Sequence, residues 1–175
     1  KFSPIRWFDN KDAILVTLLE IVGVFGYEDD NTAAKLYSGN VERQNDALTG
    51  ILNYSKFCAS AENAIRYNKD KNYAIVTFDI DKFKSINDQY GMSVGDMILK
   101  HIANALKAFF EYDENYARLH SDVFAFYMEY EKRGDIIRAI EKVRRHIANS
   151  DLNIDIKTSF GIYLVEDRHV PINLM

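Results

Sequence analysis

A chain of 175 residues that is 47% hydrophobic, 27% charged and 13% aromatic has ordinary globular composition, with enough length to bury the core of one domain plus an appendage. A net charge of -4 and a pI near 5.6, with no basic run longer than Lys142-Val143-Arg144-Arg145, exclude the electrostatic footprint of a nucleic-acid binder. The single Cys58 excludes an internal disulfide and points to a reducing, cytoplasmic setting, and no apolar run approaches the roughly 18 residues that span a bilayer, so this segment is expected to make no direct membrane contact.

Lys1 is not a natural start, so the chain reads as a piece of a longer protein. Ile5-Arg6-Trp7-Phe8, the turn-like Asp9-Asn10-Lys11-Asp12 and the β-rich Ala13 to Leu19 form a hairpin signal. A lone hairpin is marginal, so residues 1–27 are expected to be the remnant of a preceding domain. Strand, polar turn and long strand are similar to the closing hairpin of a PAS sensor domain. From 28 to 45 the composition turns polar, with Glu28-Asp29-Asp30 ahead of the helix-compatible Thr32 to Tyr37, which reads as a linker with helical character.

The main domain is expected to span 46–175. Asp46-Ala47-Leu48-Thr49-Gly50-Ile51-Leu52-Asn53 opens it, and a helix follows from Ser55 to Asn68, with Phe57, Cys58, Ala61, Ala64 and Ile65 on one face. Cys58 fits there as a small core residue. Ala74 to Phe78 is a near-continuous apolar run, the pattern of a strand covered on both faces, and it delivers Asp79 and Asp81 at i and i+2, from one face of the strand end. With the Lys-rich segment Lys82 to Gln89 behind them, these acids offer oxygens to a divalent cation, and the amides and ammonium groups suit phosphates. Taken alone, the same residues read as Asp81 capping a helix that opens at Lys82, with Asp79 a solvated loop acid. Ser93-Val94-Gly95-Asp96 has the form of a capping box, opening a helix that carries Ile98, Leu99, Ile102, Leu106, Phe109 and Phe110 on one side.

Two β-prone runs, Tyr116 to His120 and Val123 to Met128, are separated by Ser121-Asp122, the spacing of a tight hairpin. Asp135 to Ala148 repeats the helical period, and Ile154 to Leu164 alternates as a strand. The order from Gly50 is helix, strand, helix, helix, strand, strand, helix, strand. Strands alternating with helices around a hairpin predict an α/β (α+β) sandwich of the split βαβ type, its mostly antiparallel sheet flanked by helices.

The sequence resembles the GGDEF family, the diguanylate cyclases that join two GTP molecules into cyclic di-GMP, with a nucleotidyl-cyclase-like fold. Asp46-x-Leu48-Thr49-Gly50-x-x-Asn53 resembles the family's opening motif. Phe78-Asp79-Ile80-Asp81-x-Phe83-Lys84-x-Ile86-Asn87-Asp88-x-x-Gly91-x-x-x-Gly95-Asp96 resembles its nucleotide-binding core almost letter for letter. The resemblance implies that Asp79, the Ile80 carbonyl and Asp122 hold Mg²⁺. It also implies that the amides around Lys82 and Phe83, with the Lys84 ammonium, take the phosphates, and that Asn87 and Asp96 read the guanine edge.

The departure is in the family's signature. Where the family has Arg-x-Gly-Gly-Asp/Glu-Glu-Phe, this chain has Arg118-Leu119-His120-Ser121-Asp122-Val123-Phe124. Both glycines and the second acid are replaced. That acid assists as the 3′-hydroxyl attacks the α-phosphate, and the isopropyl group of Val123 can neither accept a proton nor stabilise charge; losing such a group costs on the order of 10²- to 10⁴-fold. Met92 and Tyr54 stand where the family usually has His and Arg. Glu111-Tyr112-Asp113-Glu114 replaces the Arg-x-x-Asp product site, and acid there would repel phosphate. The chain ends at Met175, before the last family helix. The expectation is therefore a degenerate GGDEF domain with no catalytic residue, holding GTP without converting it. It would serve as a regulatory or dimerisation module, homodimeric in the full-length protein and flanked by sensor and output domains. The alternative is an active cyclase in which His120 stands in for the missing acid.

Overall fold

The computed structural model describes residues 44–172 apart from 111, 113, 114, 151 and 153. The PAS-like hairpin at 1–27 and all of the linker before Gln44 lie outside the described residues, as do Glu111, Asp113 and Glu114 of the expected phosphate-repelling loop. The element order is α1 (Tyr54–Tyr67), β1 (Asn72–Ile80), α2 (Phe83–Tyr90), α3 (Met92–Phe109), β2 (Tyr116–His120), β3 (Val123–Tyr130), α4 (Arg133–Ala148) and β4 (Thr158–Leu164). The sheet runs β2-β3-β1-β4 with its three strand pairings antiparallel, and β1 and β4, the first and last of these four strands, lie side by side. This is the split βαβ arrangement that the element order predicts.

Alternation along β1 sends its side chains to two separate cores. Ala74, Val76, Phe78 and Ile80 join Ile98, Leu99, Ile102 and Leu106 of α3 and Ile136, Ile140, Val143 and Ile147 of α4. On the other side, Tyr73 and Ile75 meet Phe57, Ala61 and Ile65 of α1. Burying each such aliphatic side chain contributes roughly 1.5–3 kcal/mol, which is why the central strand is apolar on both faces. Phe78 stacks between Phe124 at 5.5 Å and Phe160 at 4.8 Å, tying β1 to both neighbours where the acids emerge. Cys58 is half-buried, and burial pushes its thiol up to about 11, which makes it inert packing.

Asn53 caps α1, its Oδ1 accepting the Lys56 amide at 3.0 Å. The other end of α1 is completed from far along the chain. Arg168 Nη1 donates to the carbonyls of Ile65 at 2.7 Å and Asn68 at 2.9 Å, and Nη2 donates to that of Lys71. Ile172 is buried against the same helix and its amide reaches Glu62 Oε1 at 3.2 Å.

Two expectations are corrected. The Ser93–Asp96 capping box does not form: α3 starts at Met92, and Gly91, at φ 87°, takes the cap position with no side-chain bond. The glycine turns the chain so sharply that the helix begins before Ser93 can cap it. The last strand begins at Thr158 rather than Ile154, because its partner β1 ends at Ile80, paired with Thr158. Without a partner, Ile154 and Ile156 pack into the α3/α4 core as irregular chain. Among the described residues no helix is long and apolar enough to cross a membrane.

Candidate functional site

The carboxyl end of β1 gathers the acids. Asp79 is half-buried, and its Oδ1 is fully buried with no hydrogen-bond partner. Burial raises its pKa, the negative charges of Asp122 and Asp81 add to the rise, and the amides of Asp79 and Ser159 pull part of it back. Asp122 acts there because β3 pairs with β1 through Phe78 and Phe124, which sets the hairpin tip beside the strand end. Asp81 is not a helix cap. Its Oδ1 accepts the Ser159 hydroxyl at 2.6 Å, and its amide donates to the Lys157 carbonyl at 2.9 Å.

Among the described residues no three His, Cys, Asp or Glu side chains converge tightly enough to hold a metal ion by themselves. A hard dication of the Mg²⁺ type is commonly held by one or two carboxylates, with phosphate and water oxygens completing the shell. An orphaned buried Asp79 Oδ1, with the Asp122 charge beside it, fits that donor set.

Behind the acids, Lys82 adopts the left-handed conformation, φ 57° and ψ 33°, and stands at the cap position of α2 with no side-chain cap bond. A non-glycine residue in that region costs roughly 1–2 kcal/mol, and such strain collects at functional turns. The turn leaves the first amides of α2, at Phe83 and Lys84, without a side-chain acceptor, next to the exposed side chains of Lys82 and Lys84. Backbone donors at a helix start with ammonium groups nearby are an anion-binding chemistry. Phe83 is half-buried and anchors the turn on the core.

One helix further, Asn87 presents a second orphan, a buried Oδ1 with no partner. It lies where it does because residue 95 is glycine: a Cβ there would meet Asn87 Oδ1 at 1.9 Å and Phe83 Cζ at 3.2 Å. Asp96 follows on the first turns of α3, exposed, and the missing capping box leaves its carboxylate unused by the helix.

The hairpin tip is a two-residue turn between paired His120 and Val123, with Ser121 at φ 43°. His120 and Ser121 are exposed, while Asp122 and Val123 are half-buried. Arg118 braces the turn from below, its Nε donating to the Ser121 carbonyl at 2.7 Å and Nη1 to Asp46 Oδ1 at 3.0 Å. Asp46 also accepts the Thr49 amide at 2.9 Å and the Thr49 hydroxyl at 2.6 Å. Burial alone would raise the Asp46 carboxyl, but the bonds from Thr49 and Arg118 outweigh it and hold the pKa low.

Lys82, Phe83, Lys84, Asn87, Asp96, Asp79, Ile80 and Asp122 thus belong to β1, the turn after it, the facing ends of α2 and α3, and the adjoining hairpin. Sequence reasoning missed Ser159 and the Asp46–Arg118 brace. Nothing local signals either, since their partners lie 78 and 72 residues away in the chain.

Residues 43–175 match the family described as diguanylate cyclase, GGDEF domain. The bifunctional diguanylate cyclase/cyclic di-GMP phosphodiesterase MucR of Pseudomonas aeruginosa is 30% identical over 125 residues, which cover 68% of this chain and 18% of that protein. Two further curated relatives are covered over only 31% and 38% of their length. A sensory box/GGDEF family protein from Caulobacter crescentus shares the fold, with a TM-score of 0.64 at 24% identity over 70% of this chain and 84% of that one. The isolated GGDEF domain of TpbB (YfiN) from Pseudomonas aeruginosa gives a TM-score of 0.62 at 26% identity, covering 70% and 76% of the two chains. A match that takes in β1, the α2 and α3 junction and the hairpin tip together establishes that the chain belongs to the GGDEF family.

Proposed function

We propose that this chain is a catalytically inactive or nearly inactive GGDEF domain that binds GTP with Mg²⁺ and works as a regulatory, GTP-sensing or dimerisation module in cyclic di-GMP signal transduction. The observation that carries this reading is the contrast between the two sides of one site. Buried, unpartnered oxygens of Asp79 and Asn87 wait on the binding side, and Val123 occupies the place of an acid on the hairpin side. An orphaned buried polar atom costs roughly 1–3 kcal/mol, and a bound ligand that satisfies it recovers that cost.

In this reading Asp79, the Ile80 carbonyl and Asp122 hold the cation, which when bound neutralises phosphate charge. Lys84 and the amides at Lys82 and Phe83 take the phosphates. Asn87 and Asp96 supply the amide and carboxylate pattern complementary to guanine. The domain works in the cytoplasm, as a homodimer in the full-length protein, beside sensor and output domains. The MucR relative, a bifunctional diguanylate cyclase/cyclic di-GMP phosphodiesterase, supports such a setting. Titration calorimetry with GTP and Mg²⁺ tests the binding half: saturable binding is expected, and none into the millimolar range overturns it.

A second reading, an active diguanylate cyclase with an altered hairpin, is favoured by the Asp122 charge acting on Asp79, which preserves a metal-holding pair, and by exposed His120 at the tip. Incubating the full-length protein with labelled GTP decides between the two, and absence of any linear or cyclic dinucleotide overturns the second.

A further inference from the structure

Asp79 and Asp81 leave β1 on the same side, yet their surroundings differ. Asp79 keeps a buried oxygen without a partner, whereas Asp81 Oδ1 is occupied by the Ser159 hydroxyl at 2.6 Å. Ser159 stands directly opposite Asp79 in the β1–β4 register, so one β4 residue faces the first acid and detains the second. At 2.6 Å the contact is at the short end for a hydroxyl donating to a carboxylate oxygen. The Asp81 amide is bound too, to the Lys157 carbonyl at 2.9 Å, so the residue is held by side chain and backbone together.

We infer that Ser159 is the positioning residue that makes cation capture at this site depend on nucleotide. By holding Asp81 aside, it leaves Asp79 and Asp122 as a two-carboxylate site that phosphate oxygens must complete. This agrees with the lack, among the described residues, of any three metal-ligating side chains converging unaided. Without the hydroxyl, Asp81 is free to turn toward Asp79, the acid that Ser159 faces across the β1–β4 register. Three carboxylates then form an oxygen site that binds a dication alone, since affinity for hard cations rises with ligand charge count. The inference rests on the proposed metal role of Asp79 and Asp122, but its decisive comparison contains no nucleotide.

The test is a nucleotide-free Mn²⁺ titration of the full chain read by electron paramagnetic resonance, with folding checked by far-UV circular dichroism. Wild type and Ser159→Thr, which keeps the hydroxyl, are expected to leave Mn²⁺ free. Ser159→Ala is expected to bind Mn²⁺ at least about tenfold more tightly than wild type, and adding Asp81→Asn is expected to abolish that gain. Should the alanine variant fold poorly, Ser159→Val suits a strand and differs from the threonine variant by one hydroxyl at equal shape. A folded variant lacking the hydroxyl that binds Mn²⁺ no better than wild type overturns the inference. So does a gain that survives Asp81→Asn. Failure of the wild type to bind GTP by calorimetry is a separate result and overturns the proposed function instead.

Discussion

Gly95→Ala separates stability from recognition. In an ordinary helix interior, replacing glycine with alanine gains about 1 kcal/mol. Here the new Cβ would lie 1.9 Å from Asn87 Oδ1, well inside contact distance, and 3.2 Å from Phe83 Cζ. Asn87 sits on the short α2, which has no fully buried residue, so its side chain can swing out while Phe83 gives a few tenths of an ångström. Helix gain and repacking cost nearly cancel, leaving stability within about 1 kcal/mol of wild type, a shift of roughly 4 °C or less in Tm. GTP affinity should nevertheless fall about 10- to 100-fold, because the displaced amide no longer meets the base. Asn87→Ala should produce the same loss, and the double variant no more than either single one, while being the most stable of the three. Thermal melts and calorimetry on these variants provide the check. Wild-type GTP affinity in Gly95→Ala would refute the idea that the Asn87–Gly95 contact builds the base-reading site, and destabilisation beyond about 3 kcal/mol would refute the local repacking.

Arg118→Met removes the bond to the Ser121 carbonyl inside the hairpin and the Asp46 ion pair that joins the hairpin to the domain's opening turn, a pair whose side chains are only 12% and 24% exposed. A cost of about 2 kcal/mol in urea unfolding is expected. The Asp46 pKa is held below its ordinary 3.8 in the fold, so the stability it contributes is fully present above that pH and fades as pH falls through the lower folded value; melts from neutral pH down to about 3 should show the Arg118→Met difference shrinking. Ser121→Gly removes the steric cost of φ 43° at the hairpin tip, partly offset by a freer unfolded chain, and should raise stability by about 0.5 kcal/mol. Asp79 behaves oppositely to Asp46. Its folded pKa is raised, so its charge destabilises the ligand-free domain at neutral pH, and that penalty is relieved as pH falls through the raised value. Asp79→Asn should therefore stabilise the free domain by about 1 kcal/mol while abolishing Mg²⁺-dependent GTP binding by calorimetry.

The order of elements was readable because each run is long enough to show its period: the two-faced apolar β1, the stripe along α3 and the paired runs around Ser121-Asp122. Boundaries failed where a partner, not a propensity, sets them. Ile154 and Ile156 alternate like strand residues, but β1 offers them nothing to pair with. Ser93 and Asp96 have the spacing of a capping box, but the Gly91 turn starts the helix earlier. At the site, residues close in sequence were readable as a group, from Asp79 through Asn87 to Asp96. The supports were not, because Ser159 under Asp81 and Asp46 under Arg118 are joined only by the folded sheet.

The Arg168 contact with the end of α1 bears on how the chain matures as it is made. The carbonyls of Ile65, Asn68 and Lys71 wait for a guanidinium that lies 103, 100 and 97 residues downstream. At synthesis rates of about 5–20 residues per second, that interval is roughly 5–20 s. During that time α1 has left the ribosome with its last turn unfinished and the core beneath it still lacking Ile172. Among the described residues, the helix made first is therefore closed last, and the α1 side of the sheet completes its fold only once Arg168 and Ile172 have been translated.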